Sequence, residues 1–352
     1  MQEKKSNMAI IRSRAPVRIS FAGGGTDVSP YPEEVGGCVV NVAIDRYAYG
    51  TLILKDKGIN IQSSDMKGFL YFNNSDEMEY NGTLDLVKAV IKNTGYTGGL
   101  EVFLRSDIPP RSGLGSSATT FVSLIGLFNH AGLFNRQKQG RRLTSYDIAE
   151  LAFHLEREEL MNIGGRQDQY SAVFGGLNFM EFCGGDHVKV SPLRIKKDYL
   201  LELEKHIVLA YVGARGDSGD IIRDHIRGYQ EKNSRILDGL HGTKELANGV
   251  RHALLKGDLT QFGELIHLSW EEKKKFSYYM TNEKIDGIYE AARNAGALGG
   301  KLSGAGGGGG HMFFYCKPNT EINVRERVEN AGAKVIDFHF DMNGLQTWEV
   351  VD

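Results

Sequence analysis

The chain is poor in cysteine, lacks any long apolar run and carries no excess of either charge. Its three cysteines, Cys38, Cys183 and Cys316, lie far apart with no paired spacing, which argues against a disulfide framework and against a zinc knuckle. No apolar run approaches the ~20 residues of a membrane span. The 42 Lys and Arg stand against 44 Asp and Glu, a net charge of -2, so there is no positive surplus with which to grip nucleic acid. The N-terminal stretch MQEKKSNMAIIRSR has charge but no apolar core behind it, unlike a secretion signal. These absences predict a cytoplasmic protein of a reducing compartment, with neither nucleic acid nor membrane as partner.

What is present is globular: 41% hydrophobic and 24% charged residues in 352. At roughly 150 residues per domain this length predicts two domains, with the junction in 186–198 and the domains at 1–190 and 191–352. Alternation of Val17, Ile19 and Phe21 with Arg18 and Ser20 reads as a strand. Further strands are expected within 39–54, 59–72, 100–104, 177–182, 206–212 and 311–316. Helices are expected from Ser116, whose serines suit a cap, over 145–162, in a long region 218–276 broken at Gly239, Gly242 and Gly257, over 282–295 and over 324–331. Asn343-Gly344 predicts a closing hairpin. Strands and helices mix in both parts, so the expected class is α+β.

Glycine is in excess, at 44 of 352 residues against a usual ~7%, and it is clustered. In PPRSGLGSSA (109–118) a glycine loop feeds a helix start, where bare N–H groups and the positive end of the helix dipole suit an anion. Ser112, Ser116 and Ser117 add hydroxyls. No GxxxxGK[ST] string exists. Gly113, Gly115 and Ala118 satisfy GxGxxA, but Asp107-Ile-Pro-Pro-Arg-Ser stands between strand and glycines, and no acid occurs from Ile108 through Tyr146 to hold a ribose, so a dinucleotide fold is disfavoured. GGKLSGAGGGGG (299–310) leads into a strand. Eight glycines in twelve residues cost conformational entropy, and close backbone approach to a ligand or to the first loop would compensate. In RISFAGGGTD (18–27), Asp27 sits where it can accept two hydroxyls of a polyol.

Asp168 has cationic and amide neighbours that keep a carboxylate ionised. Glu156 and Glu159 both project toward the apolar side of their helix, where a carboxylate needs a partner or a metal, and spacing does not choose between them. An acid with Mg2+, a phosphate loop and a second acid near an acceptor are the parts of phosphoryl transfer.

The three clusters, in this order from Arg14 to Gly310, resemble the motifs of the GHMP family of small-molecule kinases. The resemblance implies an N-terminal domain with a left-handed βαβ unit, a C-terminal ferredoxin-like domain and a site between them. It implies that ATP is held by Pro110, Arg111, Ser112, Gly113, Leu114, Gly115, Ser116 and Ser117 with Gly304 and Gly306. It makes Asp168 the catalytic aspartate, which orients or deprotonates the acceptor hydroxyl, and Arg18 the residue that helps position that aspartate and the acceptor. Ser117 and Glu156 become the Mg2+ ligands, which breaks the tie with Glu159. Gly24, Gly25, Thr26, Asp27 and Gly307 fall on the acceptor. Two departures stand out: Gly23-Gly24-Gly25 replaces the commoner Gly-Glu-His and leaves room, and Arg111 replaces a small residue. The GGGTD form with Ile44-Asp45-Arg46-Tyr47 is most similar to members that phosphorylate the anomeric hydroxyl of D-glycero-D-manno-heptose 7-phosphate, with L-fucose or another hexose as the alternative acceptor. Arg46, Arg111 and Arg166 are then the cations expected near an acceptor phosphate. A sugar sensor without activity is the other alternative, and the presence of Asp168, Ser117 and Glu156 argues against it. A monomer or homodimer with a sugar or sugar-phosphate substrate is expected.

Overall fold

The computed structural model describes residues 9–65, 68–110, 112–134, 141–214 and 218–350. Among these residues twelve strands form two sheets. The first holds β1 (Ile10–Ala22), β2 (Gly37–Lys55), β3 (Ile59–Ser63), β4 (Gly68–Phe72), β5 (Gly99–Ser106), β6 (Leu177–Phe182), β7 (Val188–Pro192) and β12 (Gln346–Val350). Its order is β12-β1-β2-β5-β3-β4, with β6 also on β2 and β7 on β6. β3 and β5 are parallel, and the helix Asp85–Thr94 lies in the connection between them, a βαβ unit. The second sheet holds β8 (Ile207–Gly213), β9 (Ala297–Leu302), β10 (Gly310–Cys316) and β11 (Lys334–Ile336) in the order β11-β8-β10-β9, every pair antiparallel. Numbered within the sheet, that is 4-1-3-2 with helices after its first and third strands, the ferredoxin-like arrangement. The mixed α+β class, the βαβ unit in the first sheet and the ferredoxin-like second sheet are as expected.

Two cores meet at β1. The helices Ser116–His130, Ser145–His154 and Gln167–Phe174 bury Phe121, Ile125, Ala149 and Tyr170 with the first sheet. On the other side, Val17, Ile19 and Phe21 join Phe262, Ile266, Leu209 and Phe313 in one apolar cluster. The Phe21 and Phe262 rings meet edge-on at 5.2 Å, a favourable aromatic geometry. The halves therefore share a buried seam, and the cavity described below opens beside it.

Local expectations fail in three places for definite reasons. Gly239 and Gly242 do not break a helix; both lie inside Ser234–Lys256. They are needed for close packing, since a Cβ at Gly242 would fall 2.6 Å from the Glu272 carboxylate and one at Gly239 2.9 Å from Lys275. Asn343-Gly344 is a turn, but its flanks do not pair with each other: Phe340 bridges to Ile44, and β12 pairs with β1. Asp341 holds that turn by accepting from the Asn343 and Gly344 N–H groups. The helix expected over 145–162 leaves the α form after His154 and makes a π-helical turn, Leu155–Glu159, in which Leu160 N–H donates to the Leu155 carbonyl.

Candidate active site

The phosphate-loop helix Ser116–His130 begins without a side-chain cap: its N-cap is Gly115, in the left-handed region at φ 81°. The serines expected to cap it are its first helical residues instead, so no side chain competes for the N–H groups at its start. Such an end attracts an anion through those groups and through the helix dipole. Gly113 and Gly115 carry the loop's two positive φ values, +83° and +81°, a geometry that glycine adopts without strain. A Cβ at Gly115 would stand 3.0 Å from the Asp168 carboxylate, so this glycine also admits the acid to the loop.

Arg18 organises the centre. It is 4% exposed and holds Asp168 Oδ1 through Nε at 2.8 Å and Nη2 at 2.6 Å, while Nη1 donates to the Gly113 carbonyl at 3.0 Å. One guanidinium thus fixes the acid relative to the phosphate loop, with charge-assisted bonds of the stronger kind. Asp27, also buried, accepts from the Gly25 and Gln167 N–H groups at 3.0 and 3.1 Å. Burial raises its pKa; the backbone bonds oppose this, and the nearby Asp168 charge adds to it. The Asp27 carboxylate occupies space that Gly165 leaves, 2.0 Å from where a Cβ there would be.

The glycine tract backs onto the phosphate loop, as its entropy cost suggested. A Cβ at Gly304 would fall 2.7 Å from Gly113 Cα, and one at Gly310 2.8 Å from the Ser112 carbonyl. That same carbonyl accepts from His311 Nδ1 at 2.7 Å. His311 is buried, and burial holds its pKa down to about 4.

A cavity of about 760 Å³ joins these parts. Of the residues named from sequence, Arg18, Gly24, Gly25, Asp27, Pro110, Gly113, Gly115, Ser116, Ser117, Glu156, Asp168 and Gly304 line it. Others do not. The Thr26 hydroxyl is spent on the Gly23 and Cys38 carbonyls and on the Cys38 N–H, with the side chain fully buried. Leu114 is core, and Ser112 is buried behind the loop. Gly306 packs on Met280, and Gly307 on Ile221. Arg111 lies outside the described residues. Arg166 pairs with Glu150 and stacks on Phe153, and Arg46 bonds the Asp337 carbonyl, so neither is a cavity cation.

Glu156 is 2% exposed, accepts from Gln169 Nε2 at 2.8 Å and lies on the π-helical turn; such turns recur at functional sites. Glu159 also lines the cavity but is engaged by the Tyr80 hydroxyl. Among the described residues no cluster of three His, Cys, Asp or Glu could cage a metal. One carboxylate and a hydroxyl on the wall of a phosphate site fit Mg2+, which binds through one or two carboxylates and completes its shell with phosphate and water.

Sequence reading missed Lys273, His225, Arg157, Arg105 and Arg223, all on the cavity wall. Two had a signal. Lys273 continues the buried stripe Phe262, Ile266, Trp270 of Leu259–Lys273, and His225 continues Ile221, Ile222 of Ser218–Gln230. A polar residue at a core position of an apolar helical stripe needs an explanation.

Comparison with known proteins agrees with this geometry. The model of the GHMP kinases N-terminal domain matches residues 82–176, and that of the GHMP kinases C-terminal domain matches residues 250–334. A D-glycero-alpha-D-manno-heptose 7-phosphate kinase of Campylobacter jejuni is 35% identical over 349 residues, covering 97% of this chain and 100% of that protein. An L-fucokinase/L-fucose-1-P guanylyltransferase of Bacteroides fragilis is 28% identical over 96% of this chain but only 38% of its own length. The crystal structure of a D-glycero-D-manno-heptose 1-phosphate kinase from Bacteroides thetaiotaomicron superposes with a TM-score of 0.78 at 31% identity, covering 97% of this chain and 100% of that one.

Proposed function

The chain belongs to the GHMP kinase family, and from that premise we propose that it is a cytoplasmic carbohydrate kinase that transfers the terminal phosphoryl group of ATP to the anomeric hydroxyl of D-glycero-D-manno-heptose 7-phosphate. The observation that carries the kinase reading is the Arg18 bridge, which holds Asp168 against an uncapped phosphate loop. The heptose acceptor is supported by the relatives named above; Gly24 and Gly25 line the cavity, but Ser20 and Phe276 stand where a Cβ on them would go, so the room expected there from sequence is already filled. The division proposed at 190/191 separates the phosphate loop and the acid from the glycine tract, but it crosses β7 (Val188–Pro192), and β12 returns to pair with β1 in the first sheet.

In this mechanism the nucleotide phosphates sit on the N–H groups at Gly113–Ser117, closed from behind by Gly304 and Gly310. Asp27 accepts from hydroxyls of the sugar and presents the anomeric hydroxyl to Asp168. Asp168 takes the proton of that hydroxyl as its oxygen bonds to phosphorus and the bond to the leaving ADP oxygen breaks. Arg18 keeps Asp168 aimed and neutralises part of the charge at the loop. Ser117 and Glu156 would hold Mg2+, which when bound offsets charge on the phosphates. Positioning and electrostatics supply most of the catalysis in such a reaction.

The test is ADP release from ATP and Mg2+ over a panel of sugars. Heptose 7-phosphate is expected to exceed unphosphorylated heptose, L-fucose and galactose by at least ~10²-fold in kcat/KM, about 2.7 kcal/mol at the transition state. Comparable turnover of free L-fucose overturns the acceptor assignment and leaves the kinase assignment in place.

A further inference from the structure

The acceptor side of the cavity has a second wall, supplied by the helices Ser218–Gln230 and Leu259–Lys273 and the residues just after them. Arg223, His225, Lys273 and Phe276 line it. Phe276 ties this wall to the acceptor loop: a Cβ at Gly25 would fall 2.6 Å from its ring, and the His225 ring meets it edge-on at 5.6 Å. His225 is 5% exposed, yet its Nε2 is buried with no hydrogen-bond partner. A buried polar atom left open in this way, beside a cavity, is completed at little further cost by a ligand. Lys273 is 4% exposed and donates to the Gly304 carbonyl, so it is anchored to the loop that backs the phosphate site. Burial, with the Lys273 charge adding to it, holds the His225 pKa down to about 4, which leaves the imidazole neutral near pH 7 and able to donate from one nitrogen.

The other cations that line the cavity each have a partner, as Arg223 does in Asp220 at 2.7 Å and Lys273 in the Gly304 carbonyl. Arg18 is bound to Asp168 and Gly113, Arg157 lies 3.6 Å from Glu156, and Arg105 pairs with Asp107 and stacks on Tyr49. A sugar phosphate whose anomeric end reaches Asp168 carries its dianion away from that acid, and a dianion leaving water needs charge-assisted donors. Resting on the acceptor reading above, we propose that the far phosphate of the acceptor is bound from the second half of the chain, by Lys273 within the wall and Arg223 at its mouth, with His225 Nε2 as a third donor. The site then measures the acceptor's length: the phosphate is held at Lys273 and the reacting hydroxyl at Asp168.

The test compares heptose 7-phosphate with unphosphorylated heptose in the wild-type enzyme, in Lys273→Met and in Arg223→Gln, each checked for folding by thermal melting. Equal turnover of both sugars by the wild-type enzyme overturns the acceptor reading and the anion site with it. Given a wild-type preference of ~10²-fold, Lys273→Met should reduce it at least tenfold, mainly through the KM of the phosphorylated sugar, and Arg223→Gln by roughly threefold to tenfold, with the KM for ATP held within about twofold. A preference unchanged in both variants overturns the site alone. So does an equal loss on both sugars, which assigns Lys273 to the nucleotide's terminal phosphate. If Lys273→Met fails to fold, Arg223→Gln decides, because Arg223 is half exposed and its removal leaves no buried gap.

Discussion

In the first half of the chain, two of the glycines that line the cavity make room for charged side chains. Gly115 leaves space for Asp168, and Gly165 for Asp27, whose oxygen would lie 2.0 Å from an added Cβ. In the tract 299–310, Gly299, Gly304 and Gly310 make room for backbone: an added Cβ would stand 2.1 Å from the Gly263 carbonyl at Gly299 and 2.7 Å from Gly113 Cα at Gly304. The first set decides where charge sits. The second decides how closely the two halves approach, and so how tightly the phosphate loop is backed. Glycine therefore serves two separable ends, and substitutions on the two walls should fail differently: the first in turnover, the second in stability.

The largest effect is expected on the charged wall. Asp168→Asn keeps the shape but removes the proton acceptor, and kcat should fall by roughly 10²–10⁴, the usual range for loss of a general acid–base group. The KM for ATP should change little, because the loop N–H groups are untouched. Full kcat on the preferred acceptor would remove Asp168 from the chemistry and dissolve the contrast. On the backbone wall, Gly304→Ala places a methyl against Gly113, and overpacking of this kind costs roughly 1–3 kcal/mol. Gly287, in Glu283–Ala295 with nothing within 4 Å of an added Cβ, is the control. Gly287→Ala should be neutral or stabilising by up to ~1 kcal/mol. Denaturant midpoints measure both, and a Gly304→Ala as benign as Gly287→Ala means that the seam is not tight.

Much of the charged wall could be read along the chain, because its parts are contiguous motifs: the loop at Gly113–Ser117, Arg18 within an alternating strand, and Asp27 after three glycines. The compensation for the glycine tract could be named from entropy alone, and the loop it packs on was one of two possibilities. What could not be read locally depends on contacts far apart in sequence. Arg166 sits two residues from Asp168 yet turns to Glu150, and Thr26 sits beside Asp27 yet bonds the Cys38 backbone. Asn343-Gly344 has the composition of a hairpin turn, but β1 and Ile44 offer its flanks better partners. Lys273 and His225 left a trace, a polar residue continuing a buried stripe, which reads as a site only once the stripe is known to face a cavity.

The metal expectation sharpens the contrast within one helical end. Glu156 is buried, with Gln169 and Arg157 at one carboxylate oxygen, and Glu159 is bonded by Tyr80, although both line the cavity. Glu156→Gln should raise the Mg2+ concentration needed for half-maximal rate by roughly tenfold or more, the scale on which altered metal sites lose affinity, while Glu159→Gln leaves it near normal. Titration of activity with Mg2+ at saturating ATP separates them. The reverse ranking would place the metal one helical turn away.

The smallest effect lies at the seam between the walls and shows in the pH dependence of stability. His311 Nδ1 donates to the Ser112 carbonyl, so Nε2 is the unprotonated nitrogen, and it is buried without a partner. Protonation would put a charge there, and burial accordingly holds the folded pKa at about 4, against the opposing pull of the Ser112 bond. In the unfolded chain the same group titrates near ~6.5. Between these values the unfolded state binds more protons, so the contribution of His311 is intact above about pH 6.5 and is lost as the pH falls toward about 4, at up to ~1.4 kcal/mol per pH unit. His225, also held down to about 4, has the same sign, whereas Asp27, raised by burial, gains from acidification. A comparison with His311→Gln cancels both. From pH 7 to pH 5.5 the wild-type protein should lose roughly 1 kcal/mol relative to that variant, as read from denaturant midpoints at each pH. Parallel curves would mean that His311 is accessible to protons in the folded state, and that the glycine tract does not seal the back of the phosphate loop.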